Sequence, residues 1–270
     1  MRTSSIDYTV PAPMTALRPK QRAYVDGLPA NPVAICTAVN GALIHPVEMS
    51  QRGVPADRLP EKDIRSAADI LDLVLERGPL DRPRADEQRV VGTCRHYAVL
   101  AVALARARGI AMRARAGFAT YFHSGFAVDH WVVEYRQERW IRIDPMVVGG
   151  SAVPRPDDLA PEEFLTGGEA WVRYRAGADP ATFGVWGTDH AWGVGEIRGN
   201  AIRDLAALVR VETLPWDEWG RMTASYEGRT DAAYDELMDR IAAVTGGDDN
   251  AAILGLYAAA DLAAPPEFLG

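Results

Sequence analysis

The chain has 270 residues, 48% hydrophobic and 24% charged, the make-up of a globular protein large enough for one big domain or a core with an added piece. A net charge of −8 argues against nucleic acid or an anionic membrane as the main partner. The sequence contains no transmembrane-length apolar run and no secretion signal in Met1-Arg2-Thr3-Ser4-Ser5-Ile6-Asp7-Tyr8, and its 2 cysteines, Cys36 and Cys94, build no disulfide framework, so a cytoplasmic location is expected.

Residues 1–59 are rich in proline and read as an irregular segment packing on a core, with Val33–Val39 as a candidate strand. Glu61–Arg77 reads as an amphipathic helix, because Ile64, Ala67, Ala68, Leu71, Val74 and Leu75 share one stripe and Gly78-Pro79 ends it. Thr93 is a good N-cap, so Cys94 opens a helix, Cys94–Arg108, that ends at Gly109. Tyr97, Val99, Leu100, Val102 and Leu104 alternate with alanines around most of it, the pattern of an interior helix packed on a sheet. Met112, Ala114, Ala116 and Phe118 alternate with Arg113 and Arg115, predicting a strand with one buried and one wet face. Asp129–Tyr135 and Arg139–Asp144 follow as a hairpin linked by Arg136-Gln137-Glu138. Past Pro145 the chain turns loop-like, and helices are expected at Pro161–Leu165, Asn200–Val211, Pro215–Ser225, Thr230–Val244 and Ala251–Leu262. The expected fold is α+β: a central helix on an antiparallel sheet over 60–150, with a mainly helical extension over 151–270 that is either separate or part of the same domain.

Three residues in this order invite a chemical reading. A thiol at position 94 meets unpaired backbone N–H groups and the positive end of a helix dipole, which favour thiolate over thiol. If Tyr135 sits opposite Arg139, counting outward places His130 directly opposite Asp144, about 4.5–5.5 Å apart at Cβ. An aspartate there can hold an imidazole N–H, although a one-residue slip would send the two side chains to opposite faces. Each residue also has a plain structural reading. Cys94 can be a small core residue, His130 a strand histidine bonded to a carbonyl, and Asp144-Pro145 a turn. Zinc held by Cys94, His96, His123 and His130 is a further alternative, weakened because Cys94 and His96 diverge at a helix start and no paired-ligand motif occurs. His96 reads as a near-surface residue of the first turn, and His123 with Ser124-Gly125 as a loop at a cleft mouth.

Gly92-Thr93-Cys94-Arg95 with its apolar helix, then Asp129-His130-Trp131-Val132, then Trp140-Ile141-Arg142-Ile143-Asp144-Pro145, resemble the transglutaminase-like superfamily of papain-like cysteine enzymes. The resemblance covers residues 60–150. It implies a Cys-His-Asp triad with Cys94 as nucleophile, His130 as base and acid, and Asp144 as orienter. It also implies acyl transfer from an amide or peptide substrate to water or to an amine acceptor. No metal or cofactor is implied, and no EF-hand-type loop occurs. A non-catalytic, peptide-binding member of the same fold is the alternative. Oligomeric state is not legible.

An acyl-transfer site also needs oxyanion donors. The Cys94 N–H is one by position, and Gln88 is a candidate for the second, an exposed loop glutamine being its plainer reading. Five of the 7 tryptophans (Trp171, Trp186, Trp192, Trp216 and Trp219) fall within 171–219 among glycines. Trp186, His190 and Trp192 are candidate substrate contacts if segment 183–193 closes over a cleft; packing against the core is the other reading. Asp189 and Glu196 are further polar candidates in that case, whereas Arg203 and Asp204 read as solvated helix charges. Trp131, alternating with His130, should support the sheet from behind.

Overall fold

The computed structural model describes residues 5–259 and 261–269. The chain is α+β, and two compact units can be drawn in it. One comprises Asp7–Ala114 and Val132–Leu159; the other comprises residues 5–6, Arg115–Trp131 and Ala160–Leu269. Among the described residues no helix is long and apolar enough to cross a membrane.

In the first unit the helices are α1 (Pro19–Val25), α2 (Pro32–Ala42), α3 (Ala67–Glu76) and α4 (Cys94–Ala107). Helix α4 is the core of this unit. Every residue from Cys94 to Arg106 is buried, and α1, α2 and α3 pack on it. It stops at Gly109, whose φ of 74° suits a residue without Cβ. Strands β1 (Leu43–Ile44) and β2 (Val90–Val91) pair in parallel just ahead of it, and the Gly92 N–H donates to the Ile44 carbonyl at 3.0 Å.

The expected N-terminal irregularity is replaced by helices. Val33–Val39 lies inside α2, because Asn31 caps the helix by accepting the Ala34 N–H at 2.9 Å and Pro32 starts it; a good start signal overrides β-branched content. The expected Glu61–Arg77 helix divides into a 3₁₀ stretch at Ala56–Asp63 and α3, which starts where Ser66 accepts the Asp69 N–H at 3.1 Å. Ala67, Ala68, Leu71 and Val74 form its buried stripe as the pattern predicts, with Ile64 left outside the helix.

The main sheet has the strand order β5-β4-β3-β6, where β3 is Met112–His123, β4 is Phe126–Arg136, β5 is Trp140–Ile143 and β6 is Phe164–Thr166; β7 (Phe183–Gly184) also pairs with β4. The hairpin register differs from the count made on the sequence. Arg136 pairs with Trp140, Tyr135 with Ile141, Glu134 with Arg142 and Val133 with Ile143, so the loop is Gln137-Glu138-Arg139 and the pairing is offset by two residues. Direct opposition of His130 and Asp144 is therefore not formed. An even offset preserves which residues share a face.

Strand β3 also lacks its expected wet face. Arg113 and Arg115 are both buried, each by an acid the local pattern could not reveal. In the first unit Arg113 Nε donates to Glu134 at 2.7 Å while its guanidinium lies 3.9 Å from the Trp140 ring centre. In the second unit Arg115 grips Asp204 with two bonds of 2.8 Å.

The second unit also holds α5 (Gly167–Arg175), α6 (Val194–Leu208), α7 (Met222–Tyr226), α8 (Ala232–Thr245) and α9 (Asn250–Tyr257). The helical character expected here is present, but its boundaries differ. Pro161–Leu165 is not helical and leads into β6, which pairs with Gly117–Ala119 of β3. Helix α6 begins six residues earlier than expected and packs against α5, α7, α8 and α9, so Arg203 and Asp204 are buried rather than solvated. Of the expected Pro215–Ser225 helix only Met222–Ser225 is helical, as part of α7.

Candidate functional site

Cys94 is the first residue of α4 and retains 5% of its exposure. Thr93 before it has extended backbone, and its N–H donates to His96 Nδ1 at 3.2 Å, so the third helical residue reaches back to close the N-terminus. His96 is thus a buried part of the helix start, not a near-surface residue. Burial, with Arg95 adding to it, holds its imidazole down to about 3, so it stays neutral. Gly92 makes room for this ring, since a Cβ there would lie 2.7 Å from His96 Cβ.

The other thiol has a different setting. Cys36 sits mid-helix in α2, fully buried, and burial together with the charge of Asp144 pushes its ionisation far up. Asp144 follows β5 and is fully buried. Its Oδ1 accepts the Met146 N–H at 2.8 Å, and its own N–H donates to the Pro156 carbonyl at 2.9 Å. Asn40 secures the same turn, donating from Nδ2 to the Pro145 and Met146 carbonyls at 3.2 and 2.6 Å. The turn reading of Asp144 is therefore fulfilled, by one oxygen of its carboxylate. Gln88 is exposed at the end of a 3₁₀ turn, its Oε1 accepting the Ala85 N–H at 3.3 Å.

His130 is buried in the part of β4 that falls in the second unit, edge-on to the rings of Tyr121 and Phe122, with centroids 6.3 and 5.0 Å away. Trp131 is fully buried, as expected of a core residue behind the histidine. Among the candidate substrate contacts, Trp186 (47% exposed) stacks on His123 at 3.6 Å and meets Phe126 and Trp192 at 5.5 and 6.3 Å. Phe126, Ala181, Trp186, Gly187, Thr188 and Trp192 line an open depression there. Trp192 rests flat on Gly184, where a Cβ would come within 2.4 Å of the ring. His190 is exposed.

One cluster is not assembled by the sequence, in which Glu196 is a polar candidate of the tryptophan-rich segment and Arg203 reads as a solvated charge. Glu196, Asn200 and Arg203 lie on one face of α6 and are all buried. Glu196 Oε1 accepts from Asn200 Nδ2 at 3.0 Å and faces Arg203 at 3.3 Å, while Oε2 accepts the Tyr226 hydroxyl at 2.7 Å. Gly195 and Gly199 allow Tyr226 its close approach, since a Cβ at Gly199 would meet the hydroxyl at 2.8 Å. The signal was present as a polar i, i+4, i+7 stripe within an apolar helix, but spacing alone cannot distinguish a buried network from a solvated face.

Among the described residues no group of three or more His, Cys, Asp or Glu is placed to hold a metal ion. Residues 63–145, about a third of the chain, match the transglutaminase-like superfamily, so this segment is transglutaminase-like. No curated protein is significantly similar to the chain. A solved structure of a candidate cysteine protease from Cytophaga hutchinsonii is similar at 17% identity with a TM-score of 0.36, over 59% of this chain. The chain spans 45% of that protein's length.

Proposed function

From a transglutaminase-like segment at residues 63–145, we propose that the protein is a thiol enzyme that transfers an acyl group through Cys94. The observation that carries this reading is the position of Cys94 at the start of the buried helix α4, inside the matching segment. The start of that helix places the Cys94 N–H where it can serve as an oxyanion donor. His130 takes the thiol proton, the sulfur attacks the carbonyl carbon of an amide or peptide, and the C–N bond breaks as His130 returns the proton to the leaving amine. Water or an amine acceptor then attacks the thioester and frees Cys94. Asp144 orients the imidazole. Trp186, His190 and Trp192 are proposed substrate contacts, and Gln88 the second oxyanion donor.

The test is chemical. Limited iodoacetamide treatment with peptide mapping should modify Cys94 and spare Cys36, which is fully buried with its thiol kept protonated. Incubation with an activated ester should leave an acyl adduct on the Cys94 peptide, visible by mass and lost in Cys94→Ala. Preferential modification of Cys36, or no adduct on Cys94, overturns the proposal.

A further inference from the structure

We propose that Arg58, Glu61 and Arg77 form a clamp that positions the Cys94 N–H, the oxyanion donor of the proposed reaction. The clamp rests on the role given to Cys94 above, and it acts through the backbone of residues 87–93 rather than by touching substrate.

The segment ahead of Cys94 has little regular structure of its own. A 3₁₀ turn at Asp86–Gln88 leads into the two-residue strand β2, and only Gly92 and Thr93 separate β2 from α4. One edge of this segment is paired with β1, where the Gly92 N–H reaches the Ile44 carbonyl at 3.0 Å. Backbone groups alternate between the two edges of a strand, so Arg89 and Val91 present theirs on the opposite edge. Among the described residues no strand pairs there. Three charged side chains take its place. Glu61 Oε2 accepts the Val91 N–H at 2.8 Å, and Arg77 Nη1 donates to the Arg89 carbonyl at 3.2 Å. Arg58 donates to that same carbonyl and, at 2.6 Å, to the carbonyl of Glu87.

The three side chains also fix one another. Arg58 Nε and Nη2 reach Oε1 and Oε2 of Glu61 at 2.8 and 3.0 Å. Arg77 Nη2 and Nη1 reach the same two oxygens at 2.7 and 3.1 Å. Two forked pairs on one carboxylate leave it no freedom to turn, which a single ammonium could not achieve. Arg58 and Glu61 belong to the 3₁₀ stretch at Ala56–Asp63 and Arg77 to the end of α3, so elements outside the segment grip it at three backbone atoms. The Cys94 N–H lies three residues beyond the last of them. An oxyanion donor works only within hydrogen-bond reach of the developing charge, so a backbone shift of about 1 Å is felt in the rate.

Two reagents separate positioning from stability. An activated ester acylates Cys94 through an oxyanion, whereas iodoacetamide alkylates the thiolate by displacing iodide and develops none. In full-length Arg58→Lys, Cys94 acylation should slow about tenfold to hundredfold. Cys94 alkylation should keep its wild-type rate, and Cys36 should stay protected. Glu61→Gln should show the same split. Acylation at the wild-type rate overturns the clamp, as does equal slowing of both reactions, or a loss of acylation that exposes Cys36 to the reagent. If Glu61→Gln fails to fold, Arg58→Lys decides alone. A wild-type protein that forms no adduct overturns the thiol reading and the clamp's role with it, whereas a normal wild-type adduct with unaffected variants overturns the clamp only.

Discussion

At the scale of single residues, the informative side chains do two jobs. Asp144 ties its turn with one carboxylate oxygen and, in the proposed mechanism, holds an imidazole with its charge. Asp144→Asn separates these roles, because an amide oxygen can still accept the Met146 N–H while the charge is gone and the wrong imidazole tautomer is favoured. The expected result is a thermal midpoint near wild type with Cys94 acylation slowed on the order of 10³–10⁴-fold, as for the equivalent change in a serine triad. Equal loss of folding and rate would assign Asp144 to structure alone. Cys94 and its N-cap were legible because capping is local chemistry. His96 was not, because its burial depends on Gly92 and on neighbours distant in sequence.

At the scale of elements, packing between helices is set by glycines as much as by large side chains. Gly167 opens α5 directly against α6, where a Cβ would lie 2.3 Å from the Asn200 carbonyl carbon and oxygen. Backbone cannot yield as a flexible side chain can, so Gly167→Ala must push α5 off α6. The expected cost is at least about 2 kcal/mol, read as a lower denaturant midpoint, with weakened amide protection in α5 and α6. Gly255→Ala in α9, where nothing lies within 4 Å of the added carbon, is the matched control and should be neutral or stabilising. The elements themselves were largely visible in the sequence where apolar periodicity and a cap agreed, as in α4 and α8. Val33–Val39 and Pro161–Leu165 misled because short segments carry too few residues for periodicity to outweigh start signals and strand partners. The hairpin count erred by two residues because loop length, which fixes register, is not written in the strands.

At the scale of the whole molecule, the two units should respond to pH in opposite directions. In the first unit burial opposes ionisation of Glu61, but the Arg58 and Arg77 guanidinium groups and the Val91 N–H outweigh it and hold the acid down to about 2. A carboxyl lowered on folding stabilises above its ordinary value of 4.5, and that stability is lost as pH falls from there toward 2. In the second unit Glu196 is raised to about 7, so its contribution is present below 4.5 and is lost as pH rises through 7. Hydrogen exchange, corrected for the intrinsic pH dependence of the rate, should show α6 opening more readily at pH 8 than at pH 5. The α3 and β2 amides should instead weaken below pH 4. Glu196→Gln should remove the α6 response alone; an α6 protection that does not change between pH 5 and pH 8 would exclude the buried acid.

The sequence by itself determined the α+β class, the helix that begins at Cys94 and the order of cysteine, histidine and aspartate, because caps, apolar period and strand composition are properties of neighbouring residues. Tertiary structure decided which charges are buried. Arg113, Arg115 and Asp204 look like surface residues in the chain, and each lies inside because another element brings it a partner, while Arg203 meets Glu196 of its own helix and the Tyr226 hydroxyl of α7. A buried charge is tolerated only when its counter-charge arrives in the right geometry, and Arg115 and Asp204, 89 residues apart, meet only when the fold brings them together.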